Sequence, residues 1–347
     1  MKTTLGVSAV GSLVSGLVAA PAAGAPSTEI YPLASAATAA EVAAFWLGDG
    51  GANLTNATPY DVQTVVEKVF PGGGGGPDAK PGMVEPLLPP GSATGNDKVP
   101  AASGKVFFVG ADGRPHWCTG TSVQSPYRNL VATAGHCAYD TQRLTALDKW
   151  VFVPGSSAGT APAGLYVGKQ AFTHYDFTMY DDYDRDYSFI NVYNGVTASP
   201  AGELTDSGRL GDNVGGQGLA WNQPLDSSTD AFGYPAGPNP DGTRPYTGET
   251  LETSKGRTTA AKVPSLGAEE LVAVDSPFTG EGSLGSSWLL RYDKSSRVGY
   301  LNALTISVAD TDGDLRHDKS FSPYFDGELS GIYDAAATQW TGSILPA

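Results

Sequence analysis

From residue 105 onward, the chain alternates short runs of β-branched and aromatic residues with turns rich in Gly, Pro, Asn and Asp. Such runs are typical of β-strands. No long helical pattern separates them, so the sequence favours an all-β sandwich or barrel. The predicted strands cover residues 105–109, 130–133, 150–153, 165–167, 187–192, 231–233, 270–274, 288–292 and 299–308.

Three segments carry a helical pattern instead. Residues 329–338 place apolar side chains at helical spacing, which predicts a C-terminal helix packed on the β body. Near the N-terminus, the alanine-rich segment 36–46 favours a short helix. So does segment 61–70, in which four valines recur at helical spacing.

The segment 71–100 interrupts these patterns with Gly and Pro, including the glycine run 72–76. Because this composition offers little apolar surface to bury, it predicts a linker without structure of its own. The linker separates a small N-terminal segment from the β-rich remainder. This position suggests a propeptide joined by a protease-accessible connection, with a permanent spacer as the alternative.

The first residues match a secretory signal peptide. Lys2 precedes an apolar stretch over 5–20, and the small residues of 23–25 form a cleavage site, so we expect residues 1–25 to be removed. A permanent membrane anchor is the weaker interpretation, because Gly and Ser interrupt the apolar stretch. The sequence therefore predicts a secreted, extracellular protein.

Charge and cysteine content narrow the possible partners and the compartment. The formal net charge of the 347 residues is -15, which disfavours nucleic acid and anionic membrane surfaces as partners. The chain has two cysteines, Cys118 and Cys137. In an exported protein such a pair most simply forms one disulfide.

A histidine next to that predicted disulfide is the first candidate for chemistry. His136 stands in the sequence TAGHC at 133–137, at the end of an apolar strand. The strand end and the bridge would hold its ring rigidly, as a general base requires.

The segments 104–108, 118–123 and 130–137 resemble the first barrel of trypsin-like secreted serine peptidases, in particular the actinobacterial glutamyl-endopeptidase-like group. The resemblance implies the chymotrypsin fold over 104–347, with two six-stranded β-barrels, a cleft between them and a C-terminal helix. It also implies that Cys118 pairs with Cys137 and that His136 is the general base.

A catalytic histidine needs an acceptor for its second ring proton. Four aspartates, at 181, 182, 184 and 186, are candidates. Asp186 directly precedes the strand-like segment 187–192, as the aspartate of the family does, and is therefore preferred. The order of His136, Asp186 and then a nucleophile is that of the trypsin-like enzymes.

The turn at 282–288 (GSLGSSW) resembles the family's nucleophile turn, Gly-x-Ser-Gly-Gly/Ser-Pro-Trp. Alignment on Trp288 puts Gly282 at the oxyanion position and Leu284 at the position of the serine. Leucine has no lone pair with which to attack a carbonyl. The sequence therefore predicts a serine-protease homologue with impaired or lost peptide-bond hydrolysis.

A shift by one residue would instead make Ser283 the nucleophile of an active endopeptidase, with His136 and Asp186. That alignment puts Glu281 and Leu284 at glycine positions, so it requires two changes where the first mainly requires one. A serine from elsewhere, such as Ser286, is a further alternative.

Two further resemblances extend the comparison. The strand 298–304 is similar to the family's substrate-flanking strand, but its usual Asn-Ser pair reads Asn302-Ala303. This change would remove a hydroxyl near the triad carboxylate. Segments 43–46 and 56–59 resemble the propeptide of the same group, which makes 26–103 a propeptide and linker.

No cofactor or metal site is predicted. The segment 310–314 alternates aspartates around a glycine, as calcium loops do, but lacks the later glutamate of an EF-hand, so a polar turn is expected. The remaining histidines have no metal-ligand spacing. We expect a monomer that binds proteins or peptides in the cleft.

Overall fold

The computed structural model describes residues 27–60, 66, 68–72, 75–91, 98–156 and 159–345. The predicted signal peptide lies outside these residues, as does most of the helix predicted over 61–70. The last residue of that segment, Phe70, belongs to a short strand.

The segment before the first barrel is built into the fold. Its helix begins with a capping box between Ser35 and Thr38. Trp46 is fully buried, and its indole N–H donates to the carbonyl oxygen of Lys149 at 2.7 Å. The helix predicted over 36–46 is confirmed. The elements of this segment are β1 (Thr28–Pro32), α1 (Ala36–Leu47), α2 (Ala52–Asn56), β2 (Thr58–Pro59), β3 (Phe70–Pro71) and β4 (Gly82–Val84).

Six antiparallel strands close the first barrel in the order β5, β6, β7, β12, β11 and β10, with β10 returning to β5. All residues of β7 and β12 are buried. The elements are β5 (Ser103–Val109), β6 (Pro115–Val123), β7 (Leu130–Thr133), β8 (Tyr139–Asp140), β9 (Thr145–Ala146), β10 (Asp148–Pro154), β11 (Tyr166–His174), α3 (Tyr175–Tyr180) and β12 (Ser188–Val192).

The second half is built from two sheets. One has the order β17, β16, β20, β21, β15, β4, and the other the order β22, β23, β19, β18, β3. Its elements, with the connection from the first barrel, are β13 (Gly195–Ala198), β14 (Leu204–Gly208), α4 (Leu210–Val214), β15 (Gly218–Trp221), β16 (Ser228–Gly233), β17 (Glu252–Arg257), β18 (Thr259–Val263), β19 (Ala268–Asp275), β20 (Ser287–Asp293), β21 (Val298–Leu304), β22 (Ser307–Ala309) and β23 (Lys319–Pro323).

The N-terminal segment adds two strands to the first barrel and one strand to each sheet of the second half. β1 pairs with β11 and β2 with β6 in the first barrel, while β3 pairs with β18 and β4 with β15 in the second half. The prediction of a linker without structure is therefore wrong for β4. Pairing with an exposed sheet edge satisfies backbone hydrogen bonds even where the side chains bury little surface.

The chain ends in helix α5 (Gly327–Ala337), whose first N–H groups are capped by the Asp326 carboxylate. Its apolar face, with Leu329, Ile332 and Tyr333, packs against Phe189 and other residues of both halves. The all-β body and the C-terminal helix predicted from the sequence are confirmed. None of the described helices is long and apolar enough to cross a membrane.

The two halves share a hydrophobic core. One cluster joins Cys118 and Trp150 of the first barrel with Leu271 and Phe321 of the second half. Because this cluster spans the junction, loops that leave either half next to it lie close together.

Candidate active site

The first catalytic candidates meet at the end of two paired strands. His136 lies in a 3₁₀ turn shortly after β7, and Asp186 comes directly before Tyr187 and β12. Because β7 and β12 pair, with Thr133 opposite Ser188, both side chains emerge at one edge of the barrel. The sequence predicts that both residues adjoin strands, which hold their side chains rigidly.

Both oxygens of the Asp186 carboxylate face His136. Oδ1 accepts the backbone N–H of His136 at 2.9 Å, and Oδ2 lies 2.5 Å from Nδ1 of the ring. Asp186 is fully buried. The hydrogen-bond network assigns the proton to Nδ1, which leaves Nε2 as an acceptor. This is the arrangement of a general base with its orienting acid.

A disulfide fixes the histidine turn to the neighbouring strand. Cys118 of β6 is bonded to Cys137, the residue after His136, which confirms the predicted pairing. The indole N–H of Trp150 donates to the carbonyl oxygen of Cys137 at 2.9 Å. The backbone on the C-terminal side of His136 is therefore anchored at two points.

The nucleophile turn depends on two glycines. Gly282 has a φ of 76° and Gly285 a φ of 84°, a conformation that favours glycine. A Cβ atom on Gly282 would lie 2.4 Å from the Trp117 ring, and one on Gly285 would lie 2.1 Å from the carbonyl oxygen of Thr119. Both positions therefore exclude any side chain, as the alignment on Trp288 requires.

Leu284 lies between these glycines, with 2% of its surface exposed. Its side chain packs in the same cluster as Cys118 and Cys137, next to the histidine turn. Its carbonyl oxygen accepts the backbone N–H of Thr119 at 2.8 Å.

The two neighbouring serines bond elsewhere. The Ser283 hydroxyl donates to the carbonyl oxygen of Gly280 at 3.0 Å, and the Ser286 hydroxyl donates to that of Ser283 at 2.5 Å. His136 is only 5% exposed, and within the described residues its Nε2 has no hydrogen-bond partner.

Two backbone N–H groups of this turn form no hydrogen bond with the described residues. The N–H groups of Ser283, Gly285 and Ser286 all bond to carbonyl oxygens. Those of Gly282 and Leu284 donate no hydrogen bond to any described residue. Free N–H groups two residues apart are what an oxyanion hole requires.

The other aspartates of the cluster have different surroundings. Asp184 is buried and accepts the N–H groups of Glu269 and Glu270 at 2.9 and 2.8 Å, so it joins the two halves. Burial raises its pKa, against the lowering effect of these two bonds. Asp182 accepts the N–H of Asp184, and Asp181 is exposed.

Ala303 belongs to β21, the strand that is similar to the family's substrate-flanking strand. It pairs with Trp288 and packs in a cluster with Phe278, whereas Ile306, three residues further on, packs in the cluster that contains Leu284. Through this pairing Ala303 adjoins the last residue of the nucleophile turn, while the backbone of Thr305 bonds to Gly285 and Ser286 within it.

Sequence reasoning missed the residues that surround the histidine. A cavity of about 390 Å³ beside His136 is lined by Tyr60, Phe177 and Tyr183, among others. The backbone N–H of Tyr60 donates to the carbonyl oxygen of Trp117 at 2.8 Å. No motif marks these residues, because they converge from three separate segments.

The aspartates of the calcium-like loop do come together. Carboxylate oxygens of Asp310, Asp312 and Asp314 lie within 4.8 Å of one another. Asp310 also accepts the backbone N–H groups of Gly313 and Leu315, and Asp312 that of Asp314. These bonds are those of the polar turn that the sequence predicts.

Neither a family model nor a curated protein matches the chain. Solved structures do match. The thermostable serine protease AL20 from an extremophilic microorganism is 25% identical, with a TM-score of 0.56 over 69% of this chain and 98% of that one. The protease Anisep from Arthrobacter nicotinovorans is 23% identical, with a TM-score of 0.55 over 70% and 98%.

A Glu endopeptidase structure is 18% identical, with a TM-score of 0.50 over 72% of this chain and 96% of that one. These neighbours share the fold of this chain. The chain therefore has the chymotrypsin fold of the trypsin-like serine peptidases, as the resemblance in its sequence implies.

Proposed function

We propose that the protein is a secreted trypsin-like serine-protease homologue that binds peptide or protein segments in the cleft beside His136, with peptide-bond hydrolysis lost or strongly impaired. The position of Leu284 carries this proposal. Its side chain belongs to the same buried cluster as Cys118 and Cys137, and the alignment on Trp288 puts it at the position of the family's serine.

Hydrolysis is impaired because His136 has no hydroxyl partner among the described residues. A base activates a nucleophile by taking its proton, and Nε2 has no hydroxyl partner among the described residues. The free N–H groups of Gly282 and Leu284 could still stabilise an oxyanion. In serine proteases, such binding and oxyanion contacts alone leave only a small residue of the activity.

Hydrolysis through Ser283 has less support. The Ser283 hydroxyl and its backbone N–H both donate to the carbonyl oxygen of Gly280. Attack by this hydroxyl would require it to leave that oxygen and turn toward His136.

We further propose that the N-terminal segment, predicted as the propeptide and linker at 26–103, covers the cleft. Tyr60 bonds to Trp117 in the first barrel and lines the cavity beside His136. Val69 packs against the cluster that contains Leu284, and β3 then pairs with β18 of the second half. Release of this segment would open the cleft to a peptide.

A serine-directed probe tests the proposal. The wild-type protein should not react with a fluorophosphonate, because no activated hydroxyl faces His136. After limited proteolysis has released the N-terminal segment, Leu284→Ser should create labelling. Leu284→Ala, treated in the same way, is the matched control, since it shortens the same side chain without adding a hydroxyl. Stoichiometric labelling of the wild type, lost in Ser283→Ala, would instead establish an active endopeptidase.

Binding is tested separately from chemistry. The wild-type protein should retain peptides from a mixture without cleaving them, as measured by mass spectrometry of the bound and free fractions. If no peptide is retained after limited proteolysis of the N-terminal segment, the binding function is wrong.

A further inference from the structure

A second buried histidine, His174, ends strand β11 and caps the helix that follows it. Its side chain is 3% exposed. The backbone N–H of Asp176, in the first turn of α3, donates to His174 Nδ1 at 3.1 Å. An accepting Nδ1 places the ring proton on Nε2, so this contact requires the neutral form of the ring.

A protonated His174 ring would have no acceptor within reach. Its Nδ1–H would face the N–H of Asp176, so the hydrogen bond between them would be lost. Carboxylate oxygens lie 3.8 Å from Nδ1, on Asp176, and 3.7 Å from Nε2, on Glu328. Both distances exceed that of a hydrogen bond. Glu328 Oε2 already accepts Arg185 Nε at 2.6 Å, so its movement toward the ring would break that bond.

The surroundings of His174 favour its neutral form. Three flanking elements contribute charges, namely Asp176 of α3, Glu328 of α5, and Asp182 and Arg185 before β12. Thr28 of β1, which pairs with His174, is uncharged. Burial lowers the pKa of His174 below its ordinary value of 6.5, and this effect exceeds the raising effect of the carboxylates. Stability is therefore lost as the pH falls from 6.5 toward the pKa of the folded state.

His174 also lies between the N-terminal segment and the surroundings of His136. Thr28 of β1 pairs with His174, and the N–H of the residue after His174 donates to the carbonyl oxygen of Ser27 at 2.8 Å. In α3, the buried Phe177 lines the cavity beside His136. A change in the first turn of α3 therefore reaches both the start of the N-terminal segment and one wall of that cavity.

We propose that His174 is a pH-sensitive latch, which holds α3 and the start of β1 while its ring is neutral and loosens both when the ring is protonated. On protonation the N–H of Asp176 loses its acceptor. A buried charge without a partner is costly, so the local structure opens to solvate the ring. The latch stands on these contacts alone, while its consequence for peptide entry, easier displacement of the N-terminal segment, rests on the proposed function.

Amide hydrogen exchange of the full-length protein, followed by NMR, measures the latch directly. The protection factor is the ratio of the intrinsic to the observed exchange rate, and we compare it for the N–H groups of Tyr175 and Asp176 at pH values of about 7.5 and 5.5. It should fall about tenfold between them, because the opened ring takes up a proton at its ordinary pKa of 6.5. The ¹⁵N resonances of His174 should show the Nε2–H tautomer at the higher pH, and a proton on Nδ1 there would overturn the proposal.

His174→Asn separates the proton from the hydrogen bond. The asparagine amide oxygen can accept the N–H of Asp176 at every pH, so this variant should keep the protection of α3 and lose its pH dependence. His317→Asn is the matched control, because burial also lowers the pKa of His317, which lies in the loop before β23. This control should keep the pH dependence of the wild type. Equal protection at both pH values in the wild type, or the same pH dependence in His174→Asn, would also overturn the proposal.

Peptide binding distinguishes the latch from the proposed function. If α3 loosens at acidic pH but no peptide binds after limited proteolysis of the N-terminal segment, the latch stands and the peptide-binding function fails. If peptides bind after limited proteolysis and the protection of α3 does not depend on pH, the function stands and the latch is wrong.

Discussion

The backbone N–H of Thr119 donates a hydrogen bond to the carbonyl oxygen of Leu284 at 2.8 Å, which joins the first barrel to the nucleophile turn. The Thr119 hydroxyl adds two links, since it donates to the carbonyl oxygen of Gly282 at 2.8 Å and accepts the N–H of Tyr234 at 3.0 Å. The turn is thus held by the strand that also carries Cys118, whatever side chain stands at position 284.

Thr119→Val should therefore destabilise the protein by about 1–3 kcal/mol, because it leaves a buried donor without a partner while keeping the side-chain volume. The measurement is the free energy of unfolding in urea. Thr145→Val, on an exposed strand, is the control and should change this free energy by less than about 0.5 kcal/mol. Equal stability of the two variants would mean that the hydroxyl does not hold the turn.

Local sequence patterns predicted the part of the site that depends on short segments. His136 and Asp186 each adjoin a strand, and Cys118 and Cys137 were the only pair available for a disulfide. Such patterns do not predict that Tyr60 lies beside His136. It depends on the path of a segment that is 76 residues away in the sequence, and no local periodicity encodes that path.

The same limit explains the errors in the N-terminal segment. Composition correctly favours helix α1, because alanine has a high intrinsic helix propensity. Composition does not predict β4, because Gly82–Val84 become a strand only by pairing with β15. The register that pairs Ala303 with Trp288 is likewise a tertiary property.

The buried Trp46 tests how firmly the N-terminal segment belongs to the fold. Trp46→Ala should destabilise the protein by about 3–5 kcal/mol, since it leaves a cavity against Phe107 and removes the bond to Lys149. Trp340→Ala is the matched control, because Trp340 is 64% exposed. Thermal unfolding measures both. If the two variants unfold alike, the segment is attached only loosely.

Because of Lys105, the free energy of unfolding should depend on pH in the alkaline range. Burial lowers its pKa from 10.5 to about 8, against a smaller raising effect of Glu249, and its ammonium group lies 3.8 Å from the centre of the Trp117 ring. The unfolded chain therefore binds more protons than the folded one between pH 8 and 10.5. The contribution of Lys105 to stability should rise with pH across this range, by at most about 1.4 kcal/mol per pH unit.

Lys105→Met should remove this slope, and Lys255→Met, which changes an exposed lysine, should keep it. The measurement is the free energy of urea unfolding at several pH values from 7.5 to about 10.5, each variant being compared with the wild type. If the free energy of unfolding depends on pH equally in the wild type and in Lys105→Met, the folded protein does not lower the pKa of Lys105.

The orientation of His136 by Asp186 can be measured once a nucleophile is present. In the Leu284→Ser protein freed of its N-terminal segment, Asp186→Asn should lower turnover of a fluorogenic peptide by about four orders of magnitude, or to the detection limit. Both Asp186 oxygens accept N–H groups of His136, and an asparagine amide has only one oxygen. Its NH₂ group must therefore face one of these donors, which favours the wrong ring tautomer.

The Nδ1–H signal of His136 in the ¹⁵N spectrum should disappear in the double variant. It should persist in Leu284→Ser/Asp334→Asn, which carries the same charge change on the surface of α5. A double variant that keeps both the signal and the turnover would show that Asp186 neither fixes the tautomer nor assists the base.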